Sequence, residues 1–252
     1  MKKYSLSLCA WAYNEEDLIE EFVEVSDRDL RAVSDDYEII IVDDASTDST
    51  WKKMQSLTRK YPALKIVRHE KNMDVGYGFH STIPLATKEI IFWNTVDRFH
   101  DMAELPKFLR WTGEYDLVQG VRSDLSANPA MRKLTTFVNY YLIRFLFNVP
   151  MSEFQNVKFV RKTLMDKIHL ESGSIFTNAE IGIKAYYLGA RIKEEGMTFL
   201  AREKGKAKGA RLKSLWKTFS DIVRFWLIWM VFRKVPRAKT AGTIDRIPKR
   251  SW

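Results

Sequence analysis

Two short, largely apolar runs, Tyr4–Ala12 and Tyr37–Val42, each break straight into a polar loop: Asn14-Glu15-Glu16 after the first and Asp43-Asp44 after the second. Runs of this length and apolarity suit strands buried on both faces of a sheet. Between them, Glu15–Val33 sets Leu18, Ile19, Phe22, Val23 and Val25 near one helical face. Lys65–Arg68 and Ile90–Asn94 repeat the strand pattern, while Ser49–Tyr61 and Gly78–Ala86 repeat the helical one. The alternation predicts an α/β chain, with βαβ units building a mostly parallel sheet covered by helices on both faces. Such sheets bind ligands where the strand ends open into loops. That rule singles out Asn14–Glu16, Asp43-Asp44 and Asp97.

The second half differs. Met131–Val149 places Leu134, Phe137, Tyr141, Phe145 and Leu146 on one side of a predicted amphipathic helix. Leu215–Phe232 predicts another, with Lys217, Asp221 and Arg224 on one side and an unbroken apolar run from Phe225. Its span of about 27 Å approaches the thickness of a bilayer core. Its charges, its tryptophans and the flanking Arg233-Lys234 favour a helix lying in the membrane interface over core packing or a true span. From Val235 the composition reads as a flexible basic end.

Charge divides the chain the same way. The net charge is +9, yet residues 201–252 hold 15 Lys+Arg against 3 Asp+Glu, so the remaining residues form a mildly acidic body. A basic tail suits nucleic acid, a membrane surface or an acidic ligand. Here its tryptophans cluster in an apolar run and do not alternate with basic residues, which suits a bilayer and argues against nucleic acid. The lone Cys9 excludes an internal disulfide and a cysteine-built zinc site, and fits a reducing compartment. Met1–Leu8 has no signal-peptide pattern. The four histidines lack metal-ligand spacing, and only His100, just past Asp97, invites a test.

The segment Val42-Asp43-Asp44-Ala45-Ser46-Thr47-Asp48-Ser49-Thr50 runs from strand end into a Ser/Thr/Asp turn that can cap the next helix, with Asp48 as a structural residue. Taken alone, its adjacent carboxylates read equally as a solvated strand end or as acceptors for a base or ribose. Its neighbours in order are Tyr13-Asn14-Glu15-Glu16, Asn72 with Gly76-Tyr77-Gly78, Asn94-Thr95-Val96-Asp97, Asp101 with Leu105-Pro106, Gly120-Val121-Arg122, Arg132 and Arg202–Gly209. Over residues 4–215 this series resembles the family 2 glycosyltransferases of GT-A fold, and among them the polyprenyl-phosphate sugar transferases of the dolichol-phosphate mannose synthase kind. Three positions depart from the pattern: Trp11 stands where proline is usual, Thr95 replaces the first Asp of Asp-x-Asp, and Phe99 replaces a frequent metal-binding Gln.

The resemblance implies a Rossmann-like GT-A domain over 1–213, with C-terminal amphipathic interfacial helices and tail over 214–252. It implies an inverting enzyme whose donor is a nucleotide sugar bound by Tyr13, Glu15, Asp43 and Asp44. Asp97, through Mg²⁺ or Mn²⁺, with Arg202 and Lys208 from a closing loop, would meet the charge developing on the leaving diphosphate. If the acceptor is a polyprenyl phosphate, Arg122 and Arg132 would bind it, and no strong base is needed. If it is a hydroxyl of a cell-surface glycan, a base is required, and Glu180 is the candidate. A non-catalytic homologue binding lipid or nucleic acid is the remaining alternative. The expected setting is the cytoplasmic face of an anionic membrane, with the protein held peripherally.

Overall fold

The computed structural model describes residues 4–96, 100–122, 141–198 and 212–247, with the side chains of α8 described from Lys217 onward. The first half alternates as its sequence predicts: β1 Ser5–Ala12, α1 Ile19–Val33, β2 Asp36–Asp43, α2 Thr50–Lys60, β3 Leu64–Arg68, α3 Val75–Thr82 and β4 Ile90–Trp93. After it come α4 Leu105–Leu109, β5 Leu117–Arg122, a helix covering 141–147 (α5), β6 Lys158–Arg161, α6 Lys162–Met165, α7 Phe176–Tyr187, β7 Arg191–Met197, α8 Leu212–Trp226 and β8 Thr243–Asp245.

The strands make one eight-stranded sheet in the order β3-β2-β1-β4-β6-β5-β7-β8. All pairings are parallel except those of β6, which runs antiparallel to both β4 and β5. The carboxyl ends of β1, β2, β3, β4 and β5 therefore open on the same edge. Alternation along the strands feeds two cores. Leu6, Leu8, Ala10, Ile39, Ile41 and Phe92 face the side of α1, α2 and α4, while Cys9, Ile40 and Ile91 face that of α3, α7 and α8. Burial pushes the Cys9 thiol up to about 12, so it is a protonated packing group at neutral pH. This is the mostly parallel, helix-covered sheet that the sequence predicts.

The C-terminal region departs from its expected form. One flank of α8 docks on the core: Ile222 and Phe225 are buried, and Trp229 stacks on Phe225 and Phe176, with ring centroids 4.7 and 6.0 Å away. The helix does not continue regularly to Phe232 but widens into a π turn, Leu227–Val231, closed by Phe232 N–H donating to Leu227 O at 3.0 Å. The opposite flank leaves Phe219 and Phe232 47% and 66% exposed. The expected boundary at 213/214 falls inside α8.

Nor is the chain after Val235 a loose end. Val235 is buried, and β8 pairs with β7 from Arg191↔Thr243 to Lys193↔Asp245. Gly242 permits that return, because a Cβ there would stand 2.3 Å from the carbonyl oxygen of Ala190. Asp245 then accepts from Lys193 Nζ at 2.6 Å and Tyr115 Oη at 2.9 Å. A three-residue strand within a basic stretch has too little periodicity to stand out, and only the open edge of β7 organises it.

Candidate active site

The loops after β1 and β2 are laced together. Asn14 N–H donates to Ser46 Oγ at 2.9 Å, and Thr47 N–H donates to Asn14 Oδ1 at 2.8 Å. Glu15 N–H donates to Thr50 Oγ1 and Ser49 N–H to Glu16 Oε2, both at 2.9 Å. Asp48, one residue ahead of the N-cap Ser49, accepts from Thr50 N–H at 2.9 Å and is a structural residue of this loop. Asn14 (φ 53°), Ala45 (φ 60°) and Asp74 (φ 75°) all hold left-handed backbone at this edge. For residues other than glycine such conformations persist only where the surroundings enforce them, and they gather at functional sites.

The two carboxylates at the end of β2 have different surroundings. Asp43 is fully buried; its Oδ2 lies 3.1 Å from Arg68 Nε, and Ser46 N–H approaches its oxygens at 3.3 and 3.4 Å. Arg68 also donates to Ser46 O at 3.2 Å and lies over the Trp51 ring at 5.4 Å. Asp44 Oδ1 accepts from Met73 N–H and lies 2.7 Å from His69 Nδ1, while Asp74 N–H reaches Oδ2 at 3.2 Å. No motif in the sequence marks Arg68 or His69 as site residues. Their signal was position alone, since they end β3 and follow it on the edge that Asp43 and Asp44 share.

The start of α3 closes on a loop from the second half. A Cβ on Gly76 would sit 2.3 Å from the carbonyl carbon of Gly173, so only glycine admits this approach. His80 Nε2 lies 2.8 Å from Ser172 O, Ser172 Oγ donates to Asp221 of α8 at 2.8 Å, and Lys217 reaches Asp74 at 3.1 Å. Residues 171–174 thus tie α3 to α8 at the edge of the site.

Glu180 belongs to that tie. Its side chain is wholly buried; Oε1 accepts from Glu171 N–H at 2.8 Å and Lys184 Nζ at 2.6 Å, and Oε2 accepts from Ser172 N–H at 2.9 Å. Burial raises its pKa, against the pull of Lys184 and the two backbone donors. A general base must present a lone pair to the acceptor. In Glu180 three of these lone-pair sites are taken by the 171–172 backbone and Lys184. His100 is a packing residue too: it is buried, edge-on to Phe108 at 5.1 Å, and burial lowers its pKa to about 4.

Tyr13 is half-buried directly after β1. Arg122, the last residue of β5, lies beside Glu153 at 3.4 Å and Asn156 at 3.3 Å on the same edge of the sheet. Asp97, Arg132, Arg202 and Lys208 lie outside the described residues. The turn that leads to Asp97 is framed by Asn94, whose Oδ1 accepts from Thr95 N–H at 3.0 Å and His100 N–H at 3.1 Å. Among the described residues no group of three or more His, Cys, Asp or Glu could hold a metal ion. Asn94 Oδ1 is thus taken up by two backbone donors.

The chain matches the family described as Glycosyl transferase family 2 over residues 7–170. It is 26% identical to a dolichol-phosphate mannosyltransferase of Pyrococcus furiosus, over 94% of this chain and 64% of that protein. It is 25% identical to a dodecaprenyl-phosphate galacturonate synthase of Rhizobium johnstonii, over 82% and 62%. The chain thus spans less than two thirds of the length of either relative. Among solved structures, the mannosyltransferase PcManGT from Pyrobaculum calidifontis, in complex with GDP-Man and Mn²⁺, shares the fold with a TM-score of 0.64 at 18% identity, over 89% of this chain and 65% of that one. Glucosyl-3-phosphoglycerate synthase from Mycobacterium tuberculosis, in complex with Mn²⁺, UDP and phosphoglyceric acid, gives 0.63 at 15%, over 89% and 78%.

Proposed function

The chain belongs to glycosyl transferase family 2, and from that premise we propose that it moves a sugar from a nucleotide donor to a polyprenyl phosphate, inverting the anomeric carbon. The observation that carries this reading is the laced pair of loops, Asn14–Glu16 and Asp43–Asp48, held at the carboxyl edge of the sheet with strain at Asn14 and Ala45. Tyr13, Glu15, Asp43 and Asp44 bind the base and ribose there. Both curated relatives carry names that include a polyprenyl or dolichol phosphate, which supports a lipid phosphate as acceptor.

The state of Glu180 supports it further. A hydroxyl acceptor needs a base, and the candidate is buried and bonded to Lys184. A phosphate acceptor is already anionic and attacks without one. Arg122 and Arg132 bind that phosphate through charge-assisted hydrogen bonds. Arg202 and Lys208 stand against the departing diphosphate, where fixed positive charge lowers the barrier. A bound Mg²⁺ or Mn²⁺, held by Asp97 and the diphosphate oxygens, would add to that charge.

The reaction takes place at the cytoplasmic face of a membrane, with α8 and β8 packed into the transferase body and the outer flank of α8 and its π turn resting on the bilayer. Phe219, Val223, Leu227, Ile228 and Phe232 line an open apolar groove together with Arg224, a composition suited to an anionic interface. No helix among the described residues is long and apolar enough to cross a membrane.

The test is nucleotide release from a panel of UDP-, GDP- and dTDP-sugars, each with polyprenyl phosphate in detergent. One donor is expected to release its nucleotide only when the lipid is present, and Asp97→Ala is expected to abolish that release. No release across the full panel rejects the proposal, and an unchanged rate in Asp97→Ala rejects the assigned diphosphate site.

A further inference from the structure

One imidazole at the donor edge has no part in the motif series. His69 is held at three points: its backbone N–H donates to Asp43 O at 2.9 Å, and in its ring Nδ1 lies 2.7 Å from Asp44 Oδ1 and Nε2 lies 2.7 Å from Ser81 Oγ on α3. Its side chain is only 8% exposed. A carboxylate can only accept, so Nδ1 carries the proton that faces Asp44. A hydroxyl can donate or accept, so Ser81 satisfies Nε2 whether the ring is neutral or charged. The ring therefore keeps one orientation in either state.

The consequence falls on Asp44. Its Oδ1 takes two short contacts, His69 Nδ1 at 2.7 Å and Met73 N–H at 2.8 Å, whereas among the described residues Oδ2 takes only Asp74 N–H at 3.2 Å. Three partners fix the carboxylate plane, and they load one oxygen while leaving the other with a single long bond. The next residue is Ala45, in left-handed backbone at φ 60°, so the segment is held where it would not settle alone. An acceptor locked in this way loses little freedom when a ligand arrives.

We propose that His69 is a positioning residue for donor binding: by clamping Oδ1 of Asp44, it keeps Oδ2 aligned to accept from an N–H or O–H of the donor nucleoside. This rests on the edge being a nucleotide-sugar site. Asp44 makes the contact, and His69 acts only through it.

Calorimetric titration tests this with UDP and GDP, each also in 2′-deoxy, 3′-deoxy and ring-N-methyl form, and with dTDP, also in the last two. The proteins are the full chain and its His69→Ala, His69→Leu, His69→Asn and Ser81→Ala variants, with melting temperatures checking the fold. The full chain should bind one parent diphosphate and lose about tenfold in affinity for at least one analogue, the worth of one hydrogen bond. His69→Ala and His69→Leu should bind the parent about tenfold more weakly and no longer distinguish it from that analogue. His69→Asn, whose side-chain N–H can replace that of Nδ1, should restore both affinity and discrimination. Ser81→Ala, the milder variant should the others not fold, should reduce discrimination in part. If the full chain binds neither parent diphosphate nor dTDP, the donor-site reading itself fails. If it binds but distinguishes no analogue, or if the folded variants keep its discrimination, the role given to His69 is overturned.

Discussion

Buried carboxylates in this chain are held by different means, and Glu38 is the plainest case. It sits in β2 with 3% exposure, accepts from Ser7 Oγ and Thr87 N–H at 2.6 Å each, and pairs with Lys65 Nζ at 2.5 Å. Burial alone would raise its pKa, but the Lys65, Ser7 and Thr87 bonds outweigh it and hold the group below the ordinary glutamate value. A carboxyl depressed in the folded state stabilises the fold above its unfolded value of about 4.3, and that contribution disappears as pH falls through the folded value. Glu38→Gln should therefore lower stability by about 1–2 kcal/mol at pH 7, since an amide N–H then meets Lys65. The deficit should shrink towards zero below about pH 4. Urea denaturation of both proteins across that range is the check, and an equal gap at both ends would refute the assignment.

At the scale of elements, the first half of the fold was open to reading from sequence because its rules are local. Ile39–Val42 and Ile90–Trp93 are apolar on both faces, and the polar residues that follow, Asp43-Asp44 and Asn94-Thr95, mark where each apolar run ends. The same rule reached Asp43 and Asp44 but stopped short of Arg68 and His69, because β3 has exposed positions and fades into its loop. Helix α8 was harder still, since an apolar run does not say which of its sides meets protein. Trp229 is enclosed by Phe147, Phe176 and Phe225, all distant in sequence or masked by its own run, whereas Phe219 and Phe232 look outward. This division yields a test of membrane contact that spares the core. Phe219→Glu together with Phe232→Glu should leave the melting temperature within a few degrees, because exposed positions contribute little. It should sharply reduce co-sedimentation with vesicles of phosphatidylcholine and phosphatidylglycerol. Undiminished co-sedimentation would move the contact to another face.

On the scale of the whole molecule, the basic C-terminal region joins the body it was expected to hang from. Trp229 Nε1 donates to Glu171 at 3.3 Å, Lys184 lies 4.7 Å from the Trp229 ring centroid, and Glu171 and Glu180 both pair with Lys184. This cluster, with Glu180, Lys184 and Trp229 buried, joins α7, the π turn after α8 and the 171–174 loop that meets the head of α3. Strand β8 then closes the far edge of the sheet on β7. Removing the chain from residue 212 onward would strip Ile222, Phe225 and Trp229 from the core and uncover Phe147 and Phe176. Each such large side chain is worth about 2–5 kcal/mol when truncated, and together they rival a domain's entire stability of about 5–15 kcal/mol. A chain ending at residue 211 should therefore fail to give a cooperative thermal transition and should bind an exposed-hydrophobe dye at 25 °C. Its loss from vesicles would then say nothing about membrane contact, which is why the surface substitutions and not the truncation probe that face. A truncated chain that melts cooperatively at the full-length temperature would mean that α8 and β8 are accessories to the fold and not part of its core.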